Sequence, residues 1–167
     1  MSRWRRIALV VTTLSTLVGC DQKTKSLAKE HLRGGETQSV LADTLRLDYT
    51  ENQGAFLSIG ASLPTEWRLR LFTVGCSAGI AGILLYTLLT SQSGALRILA
   101  LSLVCAGGIG NLADRWMYGG YVRDFLNIGI GPVRTGIFNV ADVALLTGCI
   151  LLCFRTRGRM EAPVRSQ

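Results

Sequence analysis

The sequence predicts an all-α membrane protein with four transmembrane helices and a small β-sheet on the outer side of the membrane that they cross. Composition is the first observation: 49% of the 167 residues are hydrophobic, 17% are charged, and mean hydropathy is +0.34. The second is that the apolar residues fall into four runs of nearly bilayer-spanning length. No Pro- or Ser-rich linker divides these runs, so we expect one domain over residues 1–167.

The placement of the basic residues predicts the orientation of the helices. The net charge of +7 would also suit a protein that binds nucleic acid. However, Arg3, Arg5 and Arg6 precede the first apolar run, Arg97 lies between the middle two, and further arginines follow the last run at 155–165. Basic residues at these three places follow the positive-inside rule. We therefore predict that both termini are cytoplasmic, and we expect no nucleic-acid partner.

The first span is predicted at about residues 7–28, but the start of the chain allows two interpretations. A basic start and an apolar run are typical of a secretory signal peptide, and the four residues Leu17-Val18-Gly19-Cys20 at its end resemble a lipobox, the sequence at which lipoproteins are cleaved and acylated on the cysteine. Against cleavage, residues 21–27 continue a helix without Pro or Gly, and three further apolar runs follow. Asp21 would then lie where the helix leaves the membrane, either as an ordinary helix-end carboxylate or as a supporting site residue.

The polar region that follows predicts a small β-sheet at about residues 36–62. Residues 45–49 alternate apolar and polar side chains, which is the pattern of a half-buried strand. Asn52 then opens a turn that contains Gly54, Ala55 and Phe56.

The second and third spans are predicted at about 69–90 and 96–114, with a short turn at 91–94. Three glycines near the end of the third span, Gly107, Gly108 and Gly110, would let another backbone approach closely. Asn111 and Asp114 follow three residues apart, so they share one face of this helix. Asp114 and Arg115 could also simply pair with other charges at the membrane interface.

The fourth span is predicted at about 137–154, after a strand-like segment at 121–125 and a turn at 129–132. Asn139 and Asp142 lie three apart near its start and would share one helical face. A carboxylate at the mouth of a membrane helix is a functional candidate. The alternative is that Asp142 is a helix-start charge favoured by the helix dipole.

The segment before the fourth span can bring Asp124 to the level of Asp142. Two neighbouring carboxylates cannot both ionise readily, so one keeps a proton, and the pair can act as general base and general acid on water. No Ser/His arrangement or metal-ligand cluster competes with this pair, and we expect no cofactor. A small proton-coupled carrier is an alternative, but it would need charged residues in mid-span.

The motifs together resemble the lipoprotein signal peptidases (signal peptidase II), which are four-span aspartyl peptidases of the bacterial inner membrane. Their order along the chain carries the resemblance, because each motif alone is weak. The matching residues are Asp21-Gln22 with Lys25, Asn52, Gly54-Ala55-Phe56, Gly107-Gly108, Gly110-Asn111, Asp114-Arg115, Val122-Arg123-Asp124-Phe125, Phe138-Asn139 and Ala141-Asp142.

The resemblance implies that Asp124 and Asp142 are the catalytic dyad. It also implies that Asn111, Arg115 and Asn139 line the site, while Asp21, Asn52 and Asp114 support it. Arg123 stands where the family usually has an apolar residue. Because neighbours on a strand alternate faces, its side chain should point away from the dyad.

The resemblance also implies the partners and the location. The substrate would be a prolipoprotein that carries diacylglycerol on a cysteine, and cleavage would fall just before that cysteine. Membrane lipids would be the other partner of a monomeric enzyme. The active site would lie near the periplasmic face of the inner membrane, where the lipid of the substrate can stay in the bilayer.

Overall fold

A computed structural model describes residues 1–54, 60, 62–90 and 94–160. The predicted turn residues Ala55 and Phe56, and residues 91–93 of the predicted turn at 91–94, lie outside this range. A π-helical segment, Leu69–Gly75, joins the helices Thr65–Arg68 and Cys76–Leu89 into one continuous helix. The elements are α1 (Arg3–Leu32), β1 (Gln38–Val40), β2 (Leu45–Asn52), α2 (Thr65–Arg68), α3 (Cys76–Leu89), α4 (Ala95–Met117), β3 (Val122–Ile130), β4 (Val133–Arg134) and α5 (Val140–Met160).

Helix α4 is the centre of the helical part, because it packs against α1, α3 and α5 and also contacts β3. Small residues on α4 make this possible. Ala100, Ser102, Cys105 and Ala106 are buried at the helix contacts, and the glycines follow directly after them. Small side chains let two helices approach closely. In lipid this close packing is what holds helices together, because the hydrophobic effect does not drive their association there.

Two of the four predicted spans meet the length and composition of a membrane helix. Within the described residues, these are Thr65–Leu89 and Ala95–Met117, whereas the apolar part of α5, Val140–Phe154, is shorter. Helix α1 is long enough, with 30 residues, but its C-terminal half carries Asp21, Lys23 and Lys25 and therefore has a lower hydropathy. The fold is thus mostly helical with a small sheet, and the count of four transmembrane helices is not confirmed.

The last helix begins three residues after the predicted start of the fourth span at about residue 137. Helix α5 begins at Val140, because Phe138 still belongs to the edge of the sheet. The Phe138 amide donates to the Leu126 carbonyl, and the Leu126 amide donates to the Phe138 carbonyl, each at 2.8 Å. Residue 139 is therefore the last residue before the helix.

The sheet has four antiparallel strands in the order β1-β2-β3-β4. It therefore joins the segment between α1 and α2 to the segment between α4 and α5. The prediction from residues 36–62 found only its first half. Strand β3 is longer than the predicted segment 121–125, because it pairs with β2 as far as Ile128, opposite Leu45. Gly129 lies in this strand, not in a turn, because it pairs with Arg134 of β4. A Cβ at this position would overlap the Val133 carbonyl oxygen.

We expect Gly107→Ala to lower stability by about 1–3 kcal/mol, the usual effect of overpacking. A Cβ on Gly107 would overlap the Ala141 carbonyl oxygen and lie 2.8 Å from Leu145 Cβ, so α4 and α5 would have to move apart. The measurement is thermal unfolding in detergent. Gly79→Ala is the matched control, because a Cβ there meets nothing within 4 Å. Equal melting temperatures for the two variants would contradict the close packing of α4 and α5.

Candidate active site

Asp124 and Asp142 lie where β3, α4 and the start of α5 meet. Asp124 is on β3 and is 2% exposed, while Asp142 is in the first turn of α5 and is 8% exposed. Both carboxylates are therefore almost entirely removed from solvent, although their elements are distant in sequence. A buried carboxylate needs hydrogen-bond donors, because an unpaired charge away from water is strongly disfavoured.

Asn139 bridges the two carboxylates. Its side-chain Nδ2 donates to Asp124 Oδ1 at 2.6 Å. Its side-chain Oδ1 accepts from the Asp142 amide at 3.0 Å, and its own amide donates to Asp142 Oδ2 at 3.1 Å. This reciprocal pair is a capping box with Asn139 as the N-cap of α5. The expected common helical face of Asn139 and Asp142 is therefore wrong, because Asn139 precedes the helix, but the two residues do meet.

Two further asparagines bind the remaining carboxylate oxygens. Asn52 Nδ2, at the end of β2, donates to Asp124 Oδ2 at 2.9 Å. Asn111 Nδ2, on α4, donates to Asp142 Oδ1 at 2.8 Å. Each carboxylate thus accepts an N–H bond on both of its oxygens, and all three asparagines predicted for the site contact the pair.

The environment raises the pKa of Asp124 toward neutrality. Burial is the main cause and the Asp142 charge adds to it, while the N–H donors Asn52 and Asn139 partly oppose the shift, so that the pKa of Asp124 is raised to about 6. A carboxyl group whose pKa lies near neutrality can give and take protons in a reaction near neutral pH.

A second buried cluster of charges lies beside the dyad. Lys25 Nζ is 2.8 Å from Asp21 Oδ2 and 3.4 Å from Asp114 Oδ2, and Arg123 pairs with Asp114 Oδ1 at 2.7 Å. Two acidic and two basic groups balance one another, which is how charges are kept in a protein interior. Asp21 and Asp114, predicted as supporting residues, belong to this cluster and not to the dyad.

Of the two alternatives for Asp21, the ordinary helix-end carboxylate is wrong. Helix α1 continues for eleven residues beyond it to Leu32, and Asp21 is 1% exposed. Its Oδ1 accepts from the Ala141 amide at 2.9 Å, so it ties α1 to the first turn of α5. Gly110 leaves room for this contact, since a Cβ there would lie 2.7 Å from Asp21 Oδ2.

Arg123 points away from the dyad, as the alternation along a strand predicted. Its guanidinium binds Asp114 and Gln22, whereas the next residue, Asp124, faces the asparagines. No role was predicted for Lys25, a member of this cluster, or for Gln22, which binds two of its members. Gln22 Nε2 donates to Asp114 Oδ1 at 3.0 Å. The spacing of Asp21 and Lys25, four residues on one helix, was the available signal.

Arg115 holds the loop after β2. Its Nη2 donates to the Gly54 carbonyl at 2.8 Å and its Nη1 to the Asn111 carbonyl at 3.4 Å. Gly54 is also held by Asn52, whose Oδ1 accepts the Gly54 amide at 2.8 Å. The same asparagine that binds Asp124 therefore shapes this loop, and Arg115 fixes the loop to α4 beside the dyad.

The sequence model of the family described as signal peptidase (SPase) II matches residues 13–157. Relatives of similar length carry the name lipoprotein signal peptidase. The one from Syntrophus aciditrophicus is 32% identical over 147 residues, which cover 87% of this chain and 90% of the relative. The one from Streptococcus pneumoniae is 31% identical over 148 residues, covering 89% and 92%. The one from Mycobacterium leprae is 33% identical over 171 residues, covering 95% and 80%.

Two solved structures, both described as bacterial membrane enzymes, have the same fold. One superposes with a TM-score of 0.82 at 25% identity over 96% of this chain and 94% of the other. The second has a TM-score of 0.75 at 25% identity, over 90% and 93%. Sequence and fold agree over nearly the whole length, and the chain is therefore a membrane protein that belongs to the signal peptidase II family of peptidases.

Proposed function

We propose that this chain is an aspartic endopeptidase that removes the signal peptide from diacylglyceryl-modified prolipoproteins, cutting just before the lipidated cysteine. Its relatives are named lipoprotein signal peptidases, which gives the substrate class. The observation that carries the catalytic assignment is the pair Asp124 and Asp142, buried and bridged by Asn139. Such a pair can share one proton and so supply a base and an acid together.

In the proposed mechanism, Asp142 is the base and Asp124 is the acid. Asp142 takes a proton from water, and the oxygen of that water attacks the carbonyl carbon of the scissile peptide. Asp124, which holds the shared proton, donates it to the carbonyl oxygen. As the tetrahedral intermediate collapses, the C–N bond breaks and the proton on Asp142 passes to the leaving amine. One hydroxyl proton of the intermediate returns to Asp124, which restores the carbonyl group and the starting state of the pair. The products are a carboxyl group and a free amine, with no covalent enzyme intermediate.

The three asparagines and Arg115 have positioning roles in this proposal. Asn52, Asn111 and Asn139 hold the carboxylate oxygens through N–H bonds of 2.6–2.9 Å. Arg115 holds the backbone at Gly54, which lies two residues after Asn52 and is also bound by the Asn52 side chain. Asp21 and Asp114 fix α1 and β3 around the dyad through the buried charge cluster.

We further propose that four helices cross the bacterial inner membrane, with residues 1–167 forming a single monomeric domain. Helix α1, with 30 residues and a rise of 1.5 Å each, is about 45 Å long, which exceeds the hydrocarbon thickness. Its C-terminal part would then extend beyond the bilayer toward the sheet. The exposed apolar side chains Leu85 and Leu89 on α3 suit contact with lipid.

The topology predicts a one-sided labelling pattern. With both termini cytoplasmic, the sheet and the dyad face the periplasm, so the lipid of the substrate can remain in the outer leaflet of the bilayer. We expect Ser39→Cys on β1, which is exposed, to react with an impermeant maleimide in intact spheroplasts. Ser93→Cys, in the predicted cytoplasmic turn, should react only after the membrane is opened. These variants are built in a chain whose native cysteines are replaced. The opposite pattern would reverse the orientation.

The pH dependence follows from the raised pKa of Asp124. We expect kcat/KM to fall as the pH rises through about 6, because Asp124 then loses the proton that it must donate. This fall, the falling limb of the pH profile, reports the titration of the two aspartates together, since the charge of Asp142 also raises the pKa of Asp124. The measurement is kcat/KM at constant ionic strength from pH 5 to 9. A rate that is constant from pH 5 to 8 would exclude Asp124 as the proton donor.

The proposed function is tested by incubating the purified protein with a prolipoprotein that carries diacylglycerol on its cysteine. The expected products are the free signal peptide and a lipoprotein that begins with the lipidated cysteine. The same precursor without the lipid is the matched control and should not be cut. Cleavage of both precursors at the same rate would contradict the lipid requirement, and cleavage of neither would contradict the function.

A further inference from the structure

Lys25 is the largest side chain in the described structure that is entirely buried, at 0% exposure, and the mechanism above does not use it. Its ammonium has three N–H donors, and three oxygens lie around it. They are Asp21 Oδ2 at 2.8 Å, Asn111 Oδ1 at 3.0 Å and Asp114 Oδ2 at 3.4 Å. Two of these partners neutralise its charge, and the third is the amide of the asparagine that binds Asp142.

We propose that Lys25 is a positioning residue for peptide hydrolysis, which fixes the orientation of the Asn111 amide so that its NH2 group faces Asp142. The inference rests on the proposed function, because it assigns Lys25 a role toward the same dyad. Lys25 does not touch the reacting atoms. It acts through Asn111, on the neighbouring helix.

An asparagine amide can turn by 180° with little change of shape, which exchanges its oxygen and its NH2 group. In the observed orientation, Asn111 Oδ1 accepts from Lys25 Nζ and from Asn139 Nδ2 at 3.1 Å, and Asn111 Nδ2 donates to Asp142 Oδ1 at 2.8 Å. In the turned orientation, the NH2 group would face the ammonium, which cannot accept a hydrogen bond. The amide oxygen would then face the Asp142 carboxylate.

Lys25 is the stronger of the two groups that hold the Asn111 oxygen. The bond from its ammonium is charge-assisted, and such bonds are roughly twice as strong as neutral ones. The other donor, Asn139 Nδ2, is shared, because it also donates to Asp124 Oδ1 at 2.6 Å. Without Lys25, the Asn111 amide would keep only this shared donor and would turn more freely.

The charged groups around Lys25 come from every element that packs there. They are Asp21 on α1 itself, Asp114 on α4, Arg123 on β3 through its pair with Asp114, and the dyad on β3 and α5. Burial dominates the pKa of Asp124, and the Lys25 charge lowers that pKa. Removal of the ammonium therefore has a second expected effect, a shift of the falling limb of kcat/KM to higher pH.

The test is Lys25→Met, measured per folded molecule with the diacylated precursor. We expect kcat to fall about 10–100-fold, the same scale as the loss seen when a residue that orients a metal ligand is replaced, while KM changes less than about twofold. The falling limb should also move to higher pH. The matched control is Lys29→Met, one turn further along α1, where Lys29 stacks on Tyr118 and does not contact Asn111. It should retain wild-type kcat.

A double-mutant cycle separates positioning from a general structural role. If Lys25 acts through Asn111, Lys25→Met should change kcat less than about threefold when Asn111 is already replaced by alanine, because interacting residues are not additive. An equal loss in both backgrounds would overturn the inference, and so would wild-type kcat for Lys25→Met alone. If Asn111→Ala leaves too little activity, the pH profile of Lys25→Met decides, and an unshifted limb overturns it. A wild-type enzyme that cuts no precursor would instead overturn the proposed function, before any variant is compared.

Discussion

Asp142→Asn and Asp124→Asn are each expected to lower kcat by at least about 10²–10⁴-fold, because each removes one member of an acid–base pair. An asparagine side chain cannot take a proton from water, so the Asp142→Asn variant could not activate the nucleophile. It also cannot give up a proton at neutral pH, so the Asp124→Asn variant could not protonate the carbonyl oxygen. The measurement is single-turnover release of the signal peptide from a diacylated precursor.

The matched control for these variants is Asp48→Asn on β2, a half-buried aspartate on the strand next to Asp124. It makes the same chemical change outside the dyad and should retain wild-type kcat. All three variants should show one sharp melting transition in detergent, so that a loss of rate cannot be a loss of fold. Turnover near wild type in either dyad variant would exclude the two-carboxylate mechanism.

The residues of the candidate site were predicted more completely from the sequence than the β-sheet was. Asp124, Asp142 and the three asparagines were all predicted, and the structure brings them together. The family resemblance supplied the three asparagines, whereas the two aspartates were also predicted as a pair from their places beside the last apolar segment, where burial of a charge is costly. The sheet was only half predicted, because the pairing of β3 with β2 depends on two segments far apart in the chain.

Asn139 shows how a correct spacing can lead to a wrong geometry. Two polar residues three apart share a face within a helix. The same spacing also separates the N-cap from the N3 position of a capping box, where the first residue lies outside the helix. The choice depends on where the helix starts, and the bonds of Phe138 to Leu126 delay that start to Val140. Sequence alone does not contain this tertiary contact.

The role of Lys25 depends even more on tertiary structure. A pair such as Asp21 and Lys25, four residues apart in a charged stretch, is usually a solvated surface pair of little energetic value. Here α4 covers it, and it can do so because Gly110 has no side chain at the point where Asp21 meets α4. The missing side chain of Gly110 therefore accounts for the burial of the Asp21–Lys25 pair, although neither the glycines nor the charged residues predict this burial from the sequence.

Asp21→Ala is expected to lower stability by about 3–5 kcal/mol, as the removal of one partner from a buried ion pair does. Asp21 is 1% exposed, so little solvent screens its bond to Lys25. The alanine would leave the Ala141 amide without its carboxylate acceptor and would unbalance the charges beside the dyad. Activity should fall as well, because Asp21 ties α1 to the first turn of α5, where Asp142 lies. Thermal unfolding in detergent and single-turnover cleavage measure the two effects.

Cys20→Ala is the matched control, since it changes the neighbouring residue on the same helix. Cys20 is exposed on α1, whose helix runs through this position without a break, so the small apolar side chain should be replaceable with little effect. Stability and activity should both stay near wild type, and the intact mass of the protein should include residues 1–19 without an attached lipid. If residues 17–20 instead form a working lipobox, Cys20→Ala would block acylation, and Asp21→Ala would leave the acylated protein unchanged. A sensitive Cys20 with a tolerant Asp21 would therefore identify the chain as a substrate of such a peptidase.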